Sequence, residues 1–259
     1  MNRNFRILAL GDVVGPEAVK YLSSRLWNYR KEQNISMVVC NAENAAIGNG
    51  LDPQSADKLL SAGCDVLTSG NHIFRKKEIR DYLENSPDVI RPANYPAGTP
   101  GSGYTIIQID GYRILVMNIL GQIFMEPLAC PFATLERILE REKGRYDFSV
   151  LDIHAETTSE KIALARYFDG KINCIFGTHT HVATADAQTL PLGSGYITDL
   201  GMTGPSDSVL GIRSDIIIEK LRTKLPVKFE LASGNIKANG AIFELDSSGK
   251  CLSAERIEF

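Results

Sequence analysis

Gly177-Thr178-His179-Thr180-His181 follows the apolar run Ile172-Asn173-Cys174-Ile175-Phe176. A short apolar run that stops at a glycine reads as a buried strand. The G-x-H-x-H sequence then sets two imidazoles just past that strand's C-terminal end. The chain has only four histidines. The other two, His72 in Ser69-Gly70-Asn71-His72 and His154 in Leu151-Asp152-Ile153-His154, also follow strand-like runs. Two more runs end alike, at Leu10-Gly11-Asp12 and at Asn41-Ala42-Glu43-Asn44. Five hydrophobic runs thus end in residues that can hold a metal: Asp12, Glu43 with Asn44, Asn71 with His72, His154, and His179 with His181. We expect them to converge on one two-metal site.

Working outward, residues 5–10 read as an uninterrupted buried strand, and residues 11–16 as a turn. A helix then begins at Pro16 and carries Val19, Leu22, Leu26 and Tyr29 at helical spacing. Residues 36–40 read as a second strand. A cap-plus-proline signal at Asp52-Pro53 opens a short helix that Gly63 closes. Residues 65–68 form a third strand, and residues 75–84 a helix. Asp12, Glu43 and Asn71 fall about 30 residues apart, one βαβ unit per step. Parallel strands deliver such loops to one edge. Further on, strands are expected at 89–94, 104–109, 112–118, 148–153 and 172–176, with a hairpin turn at Asp110-Gly111. Helices are expected at 131–143, with Phe132, Leu135, Ile138 and Leu139 on one face, and at 159–168. Residues 184–214 read as a long functional loop around a short strand at Tyr196-Ile197. Strands at 229–231, 240–245 and 252–259 close the chain, the last two joined by a turn at 247–249. No repeat or linker is visible, so residues 1–259 are expected to form a single domain. Two sheet layers flanked by helices make the economical α/β architecture.

Composition narrows the function. A hydrophobic content of 44% and a charged content of 23% are those of a globular protein. A net charge of −3 gives no case for duplex nucleic acid as a partner. The five cysteines are scattered and suggest no disulfide framework, so a reducing, cytoplasmic setting is expected. The first apolar run is too short for a signal peptide, and no run approaches the ~20 residues of a membrane span.

Carboxylate oxygen, neutral imidazole nitrogen and amide carbonyl oxygen together suit borderline first-row metals such as Fe, Mn or Zn. No cysteine stands with the candidates, which argues against a thiolate zinc site. Seven candidate ligands exceed what one ion takes. Shared between two ions bridged most simply by Glu43, they leave positions for water and substrate. Two divalent ions, two carboxylates and a bridging hydroxide leave about one positive charge, suited to a phosphate ester. Attack by that hydroxide needs a proton donor for the leaving oxygen. His72, directly after a candidate ligand, is the expected general acid.

These motifs, Gly11-Asp12, Glu43-Asn44, Gly70-Asn71-His72, His154 and Gly177-x-His179-x-His181, resemble in identity and order those of the calcineurin-like metallophosphoesterases. Asn41-Ala42-Glu43-Asn44-Ala45-Ala46, Thr178-His179-Thr180-His181-Val182 with Thr184-Ala185-Asp186, and the stretch from Tyr196 to Pro205 are similar to the YmdB-type branch. That resemblance covers nearly the whole chain. The wider superfamily begins D-x-H, whereas Val14 stands where that histidine would be and Asn44 would supply the ligand. Glu43 takes the place of the usual bridging Asp. Ile73-Phe74-Arg75 departs from the branch's Thr-Trp-Asp-like sequence. The resemblance implies a four-layer αββα sandwich with two mixed sheets flanked by helices. It implies two divalent or mixed-valence ions, iron or alternatively manganese. One would be held by Asp12, Glu43, Asn44 and His181, the other by Glu43, Asn71, His154 and His179. It also implies a hydrolase acting on cyclic nucleotides, 2′,3′-cyclic ones in particular.

Each residue has a plainer reading as well. Asp12 alone is a helix cap, Asn71 a turn residue, and a lone histidine after a strand a hydrogen-bonded structural group. Their ordered recurrence favours the site. Arg75, Lys76 and Lys77 read as a solvated helical turn before they read as a phosphate contact. The stretch Gly201–Pro205 suits a phosphate cradle or a tight turn equally. A phosphomonoesterase or nucleotidase on the same site, and a regulatory metal-binding protein with little turnover, are the rival functions. A homo-oligomer is expected on base rates.

Overall fold

Phe5–Leu10 (β1) is apolar at nearly every position and is covered on both faces. The computed structural model describes residues 4–259. In chain order the further elements are Asp12–Val13 (β2), Gly15–Glu32 (α1), Met37–Asn41 (β3), Pro53–Ser61 (α2), Val66–Thr68 (β4), a 3₁₀ turn Ile73–Arg75, and Ile79–Asn85 (α3). Next come Tyr104–Ile109 (β5), Tyr112–Leu120 (β6), Pro131–Arg141 (α4), Phe148–His154 (β7), Thr158–Phe168 (α5) and Cys174–Thr178 (β8). The chain ends with Gln188–Thr189 (β9), Gly195–Ile197 (β10), Met202–Pro205 (β11), Ser214–Thr223 (α6), Ile236–Lys237 (β12), Asn239–Leu245 (β13) and Cys251–Glu258 (β14).

The architecture is the four-layer αββα sandwich. One sheet runs β14-β13-β1-β3-β4 and the other β5-β6-β7-β8-β10-β9. Strands β1, β3 and β4 are parallel to one another, and so are β6, β7, β8 and β10. Alternation along each strand builds the layers. In β1, Leu8 and Leu10 face Val19, Leu22 and Leu26 of α1, while Ile7 and Ala9 face the second sheet. In β7, Phe148 and Val150 close the middle layer. Leu151 and Ile153 instead pack on Leu135 of α4 and on Leu164 and Phe168 of α5. Each fully buried Leu, Ile or Phe contributes roughly 1.5–3 kcal/mol of transfer free energy, so three apolar layers fix the sheet spacing.

Several local expectations are corrected. The turn read at 11–16 contains β2, which pairs in parallel with β11 (Met202↔Asp12, Thr203↔Val13). With β12 these strands form a third, small sheet. Residues 89–94 make only an isolated bridge, Leu67↔Val89. Pro92 cannot donate to a ladder, and the Arg91 guanidinium donates to the carbonyls of Pro92, Thr99 and Pro100. The helix read at 75–84 is split into the 3₁₀ turn and α3, because Lys76 is extended (φ −101°, ψ 123°). The long loop at 184–214 holds three short strands rather than one. Residues 229–231 form no strand: among the described residues they make one isolated bridge, Ile212↔Leu231, beside the Arg213 N–H bond to the Glu230 carbonyl. Helix α6 was not anticipated. Strand β8 starts and ends two residues later than read, and His154 closes β7 rather than following it.

Candidate metal centre

The C-terminal ends of β1, β3, β4, β7 and β8 meet where the two sheets converge. His154 is wholly buried, and its Nε2 lies 3.2 Å from Glu43 Oε1, 3.1 Å from Asn71 Oδ1 and 3.0 Å from His179 Nδ1. Glu43, His154 and His179 bring their ligand atoms within 4.8 Å of one another. Asp12 Oδ1 is 3.7 Å from His181 Nε2, and the other Asp12 oxygen accepts from the His179 amide at 3.0 Å. Asn44 Nδ2 lies 3.0 Å from Glu43 Oε1 and 3.3 Å from His181 Nε2. All seven candidate ligands therefore gather in one cluster. His72 sits at its edge, with Nδ1 2.9 Å from Asn44 Oδ1 and 3.3 Å from Glu43 Oε1.

The chain folds tightly to achieve this. A Cβ on Gly70 would stand 2.2 Å from Glu43 Oε2 and 2.3 Å from His154 Nε2, so only glycine lets the β4 loop pass under the cluster. His179 (φ 98°) and His181 (φ 64°) both occupy positive-φ conformations, which cost a non-glycine residue of order 1–3 kcal/mol each. Asp199 holds them there. Its carboxylate accepts from the Thr180 amide at 3.2 Å, the Thr180 hydroxyl at 2.8 Å and the Gly201 amide at 2.8 Å. It also accepts from the buried Lys161 ammonium at 2.7 Å.

A polar network behind the cluster orients His154. The Thr178 hydroxyl donates to Asp152 Oδ1 at 2.7 Å and lies 2.9 Å from His154 Nδ1. Its one proton is spent on Asp152, so Nδ1–H donates to Thr178 and Nε2 is left to the cluster. Thr68 and Asn41 donate to Asp152 Oδ2 at 2.5 and 2.9 Å. His179 is set similarly by Glu156, whose Oε2 lies 2.9 Å from Nε2. His181 Nδ1 lies 3.1 Å from the Leu210 carbonyl. Partners on the far nitrogen fix ring orientation and raise donor strength toward a metal.

The electrostatics favour a cation. Burial alone would lower the His154 pKa, but the surrounding Glu43, Asp12 and Asp152 carboxylates raise it to about 9. Burial would raise Glu43, yet His154 and His72 hold it well below the usual carboxylate range. His179 is pushed down by burial and by His154. Asp12 Oδ1 is buried with no hydrogen-bond partner, a costly position for an anionic oxygen unless a cation meets it. Imidazole and carboxylate atoms facing one point, with an orphaned carboxylate oxygen among them, fit one or two metal ions. The Asn44 amide, as placed, turns Nδ2 toward Glu43 and His181. Ligation through its oxygen requires the amide ends exchanged, an assignment that rests on the hydrogen-bond network.

Sequence reasoning did not find Asp152, Thr178, Lys161, Asp199, Glu156 or the Leu210 carbonyl. An acid inside the buried run Leu151-Asp152-Ile153 was the one available signal. The Lys76 ammonium donates to the Ile47 carbonyl at 2.6 Å, so it braces the loop after Asn44. Arg75 is exposed. The Gly201 amide is committed to Asp199 and Met202–Pro205 form a strand, which removes the phosphate cradle considered there.

A family model described as YmdB-like protein matches residues 8–257. The chain is 40% identical to the 2′,3′-cyclic-nucleotide 2′-phosphodiesterase of Bacillus subtilis (strain 168), over 97% of this chain and 96% of that protein. A crystal structure of a novel phosphatase from Mycoplasma pneumoniae superposes with a TM-score of 0.94 at 32% identity, covering 100% of this chain and 94% of the other. A hypothetical protein from Thermus thermophilus superposes with a TM-score of 0.93 at 38% identity, covering 98% of this chain and 99% of the other.

Proposed function

Because the chain belongs to the YmdB-like protein family, we propose that it is a metal-dependent phosphodiesterase acting on cyclic nucleotides, 2′,3′-cyclic ones foremost. The observation that carries this is the cluster itself: nitrogen and oxygen donors converging on the unpartnered Asp12 Oδ1. The chain also matches a relative named for that activity along nearly its whole length.

Asp12, Glu43, Asn44 and His181 would hold one ion, and Glu43, Asn71, His154 and His179 the other. This donor set suits iron, with manganese as the alternative. Bound there, two such ions would lower the pKa of a water and neutralise the oxygens of the phosphoryl group. The protein's own residues do the rest. Thr178 and Asp152 keep the His154 proton on Nδ1, and Glu156 keeps that of His179 on Nε2. Asn44, with its amide ends exchanged, presents its oxygen to the cluster. Glu43 Oε1, 3.3 Å from His72 Nδ1, is placed to accept Nδ1–H of the imidazolium, which gives its Nε2 proton to the departing ribose oxygen and is left as neutral imidazole. All five cysteines are free and no described helix is long and apolar enough to cross a membrane. The first feature supports a cytoplasmic setting.

A phosphomonoesterase reading is favoured by one observation, the description of the M. pneumoniae structural relative as a phosphatase. Hydrolysis of 2′,3′-cyclic AMP by metal-analysed protein, beside 3′,5′-cyclic AMP and a simple monoester, decides between them. Selective turnover of the 2′,3′ ester with about two metals per chain is the expected result. Preference for the monoester replaces it with the second reading, and inactivity on all three with two metals bound rejects both.

A further inference from the structure

None of the ten residues of α6 is buried. The helix sits on an excursion between β11 and β12. Its base is closed by Ser206 N–H to the Asn235 carbonyl, Arg213 N–H to Glu230 and Ala232 N–H to Gly211. An isolated helix of this length is marginal in water, because helical stability in proteins comes mainly from packing an apolar face. Here that face is present and uncovered. Ile218 is 51% exposed, Leu221 60% and Leu225, just past the helix, 61%. With Ile217 they make one stripe at i, i+1, i+4 and i+8. Lys220 is drawn away from the stripe, onto the Phe229 ring at 4.3 Å.

We propose that α6 is the docking element through which a second copy of this chain binds, the two helices packing antiparallel about a two-fold axis. The charges choose the occupant. Asp215 and Arg222 lie seven positions apart, on one flank of the stripe and about two turns from each other. Asp215, already bridged to Arg213 at 2.6 Å, keeps its anionic charge, and among the described residues Arg222 has no ion-pair partner of its own. An antiparallel pair about a two-fold axis sets each Asp215 against the partner's Arg222, whereas a parallel two-fold pair turns this flank away from its own copy and leaves both residues unmatched. The flank is therefore complementary to itself under a two-fold axis, as an isologous interface requires. The interface stands one loop from the metal centre, since Leu210, three residues before Arg213, offers its carbonyl to His181.

Sedimentation equilibrium of the full chain over a dilution series tests this. The wild type is expected to dimerise, and Ile218→Glu with Leu221→Glu to weaken the dimer at least about 30-fold, as loss of an interface hot spot does. Far-ultraviolet circular dichroism and thermal midpoint should match those of the wild type diluted to monomer, since both side chains are exposed in the single chain and only the dimer's mass-action gain is lost. Arg222→Asp should weaken the dimer, and adding Asp215→Arg to it should restore association. A wild type that stays monomeric, or a dimer unaffected by the double glutamate variant, overturns the proposal. So does a monomer that co-sediments with anionic phosphatidylglycerol vesicles through the same residues, which would make α6 a membrane contact. Failure of the charge exchange to restore association overturns the antiparallel arrangement.

Discussion

Lys161 Nζ lies 2.7 Å from Asp199 Oδ2, with both side chains sealed from solvent, and this pair stands directly behind His179 and His181, the two candidate ligands that follow β8. The carboxylate that receives the ammonium also receives Thr180, the residue between them. Breaking one side of a buried pair leaves an uncompensated charge and costs about 3–5 kcal/mol. Lys161→Met should lower stability by that order in urea unfolding. Asp199→Asn combined with Lys161→Met should recover part of it. Metal affinity should fall in both, because His179 and His181 lose the tie that keeps their backbone at positive φ. Unchanged metal affinity in a folded Lys161→Met protein would separate the pair from the site.

Gly70 offers a sharper steric test. An added methyl would meet Glu43 Oε2 and His154 Nε2 well inside contact distance, and both neighbours are buried and cannot swing away. Gly70→Ala should weaken metal binding by about 10–100-fold, the scale seen when ligand orientation is disturbed. Equilibrium dialysis with metal analysis reads this directly. Binding within twofold of wild type would mean that the β4 loop shifts at little cost.

The sequence made the site legible because each candidate ligand adjoins an apolar run. Asp12, Glu43, Asn71, His154 and the two loop histidines could be ranked by position along strands whose direction the βαβ spacing implied. What escaped was fixed by contacts between distant residues. The pairing of β2 with β11 joins Asp12 to Met202 through strands too short to show any period. Lys161 and Asp199 are ordinary charged residues until the fold buries them together. Residues 89–94 look like a strand in hydropathy, yet Pro92 and the buried Arg91 commit that segment to carbonyl contacts instead of a ladder. Ser214–Thr223 carries three consecutive isoleucines, a strand-like composition, and nothing in its own chain's core contacts reveals a helix.

Metal removal should be visible as lost stability. Glu43 and Asp12 are buried carboxylates, so any ion that binds the folded cluster and not the unfolded chain stabilises it by mass action. At a free concentration about 100 times Kd the gain is about 2.7 kcal/mol. Protein stripped by a chelator should unfold at lower temperature, and added Fe(II) or Mn(II) should restore the midpoint in a concentration-dependent way. Asp12→Asn should shrink that response. A midpoint indifferent to chelator and to metal would remove the cation from the account of this cluster.

His72 differs from its neighbours in what its loss should do. Its imidazole touches Asn44 and Glu43 but lies at the margin of the cluster, partly open to solvent. If it protonates the departing oxygen, His72→Ala should keep its metal and lower kcat on 2′,3′-cyclic AMP by about 10²–10⁴-fold, with KM little changed. The same variant should retain most of its rate on a p-nitrophenyl phosphodiester, whose leaving group departs without a proton. A structural role would depress both substrates alike, and a ligand role would empty the site. Parallel kinetics on the two diesters, with metal content measured on the same samples, therefore separate the three roles in one comparison.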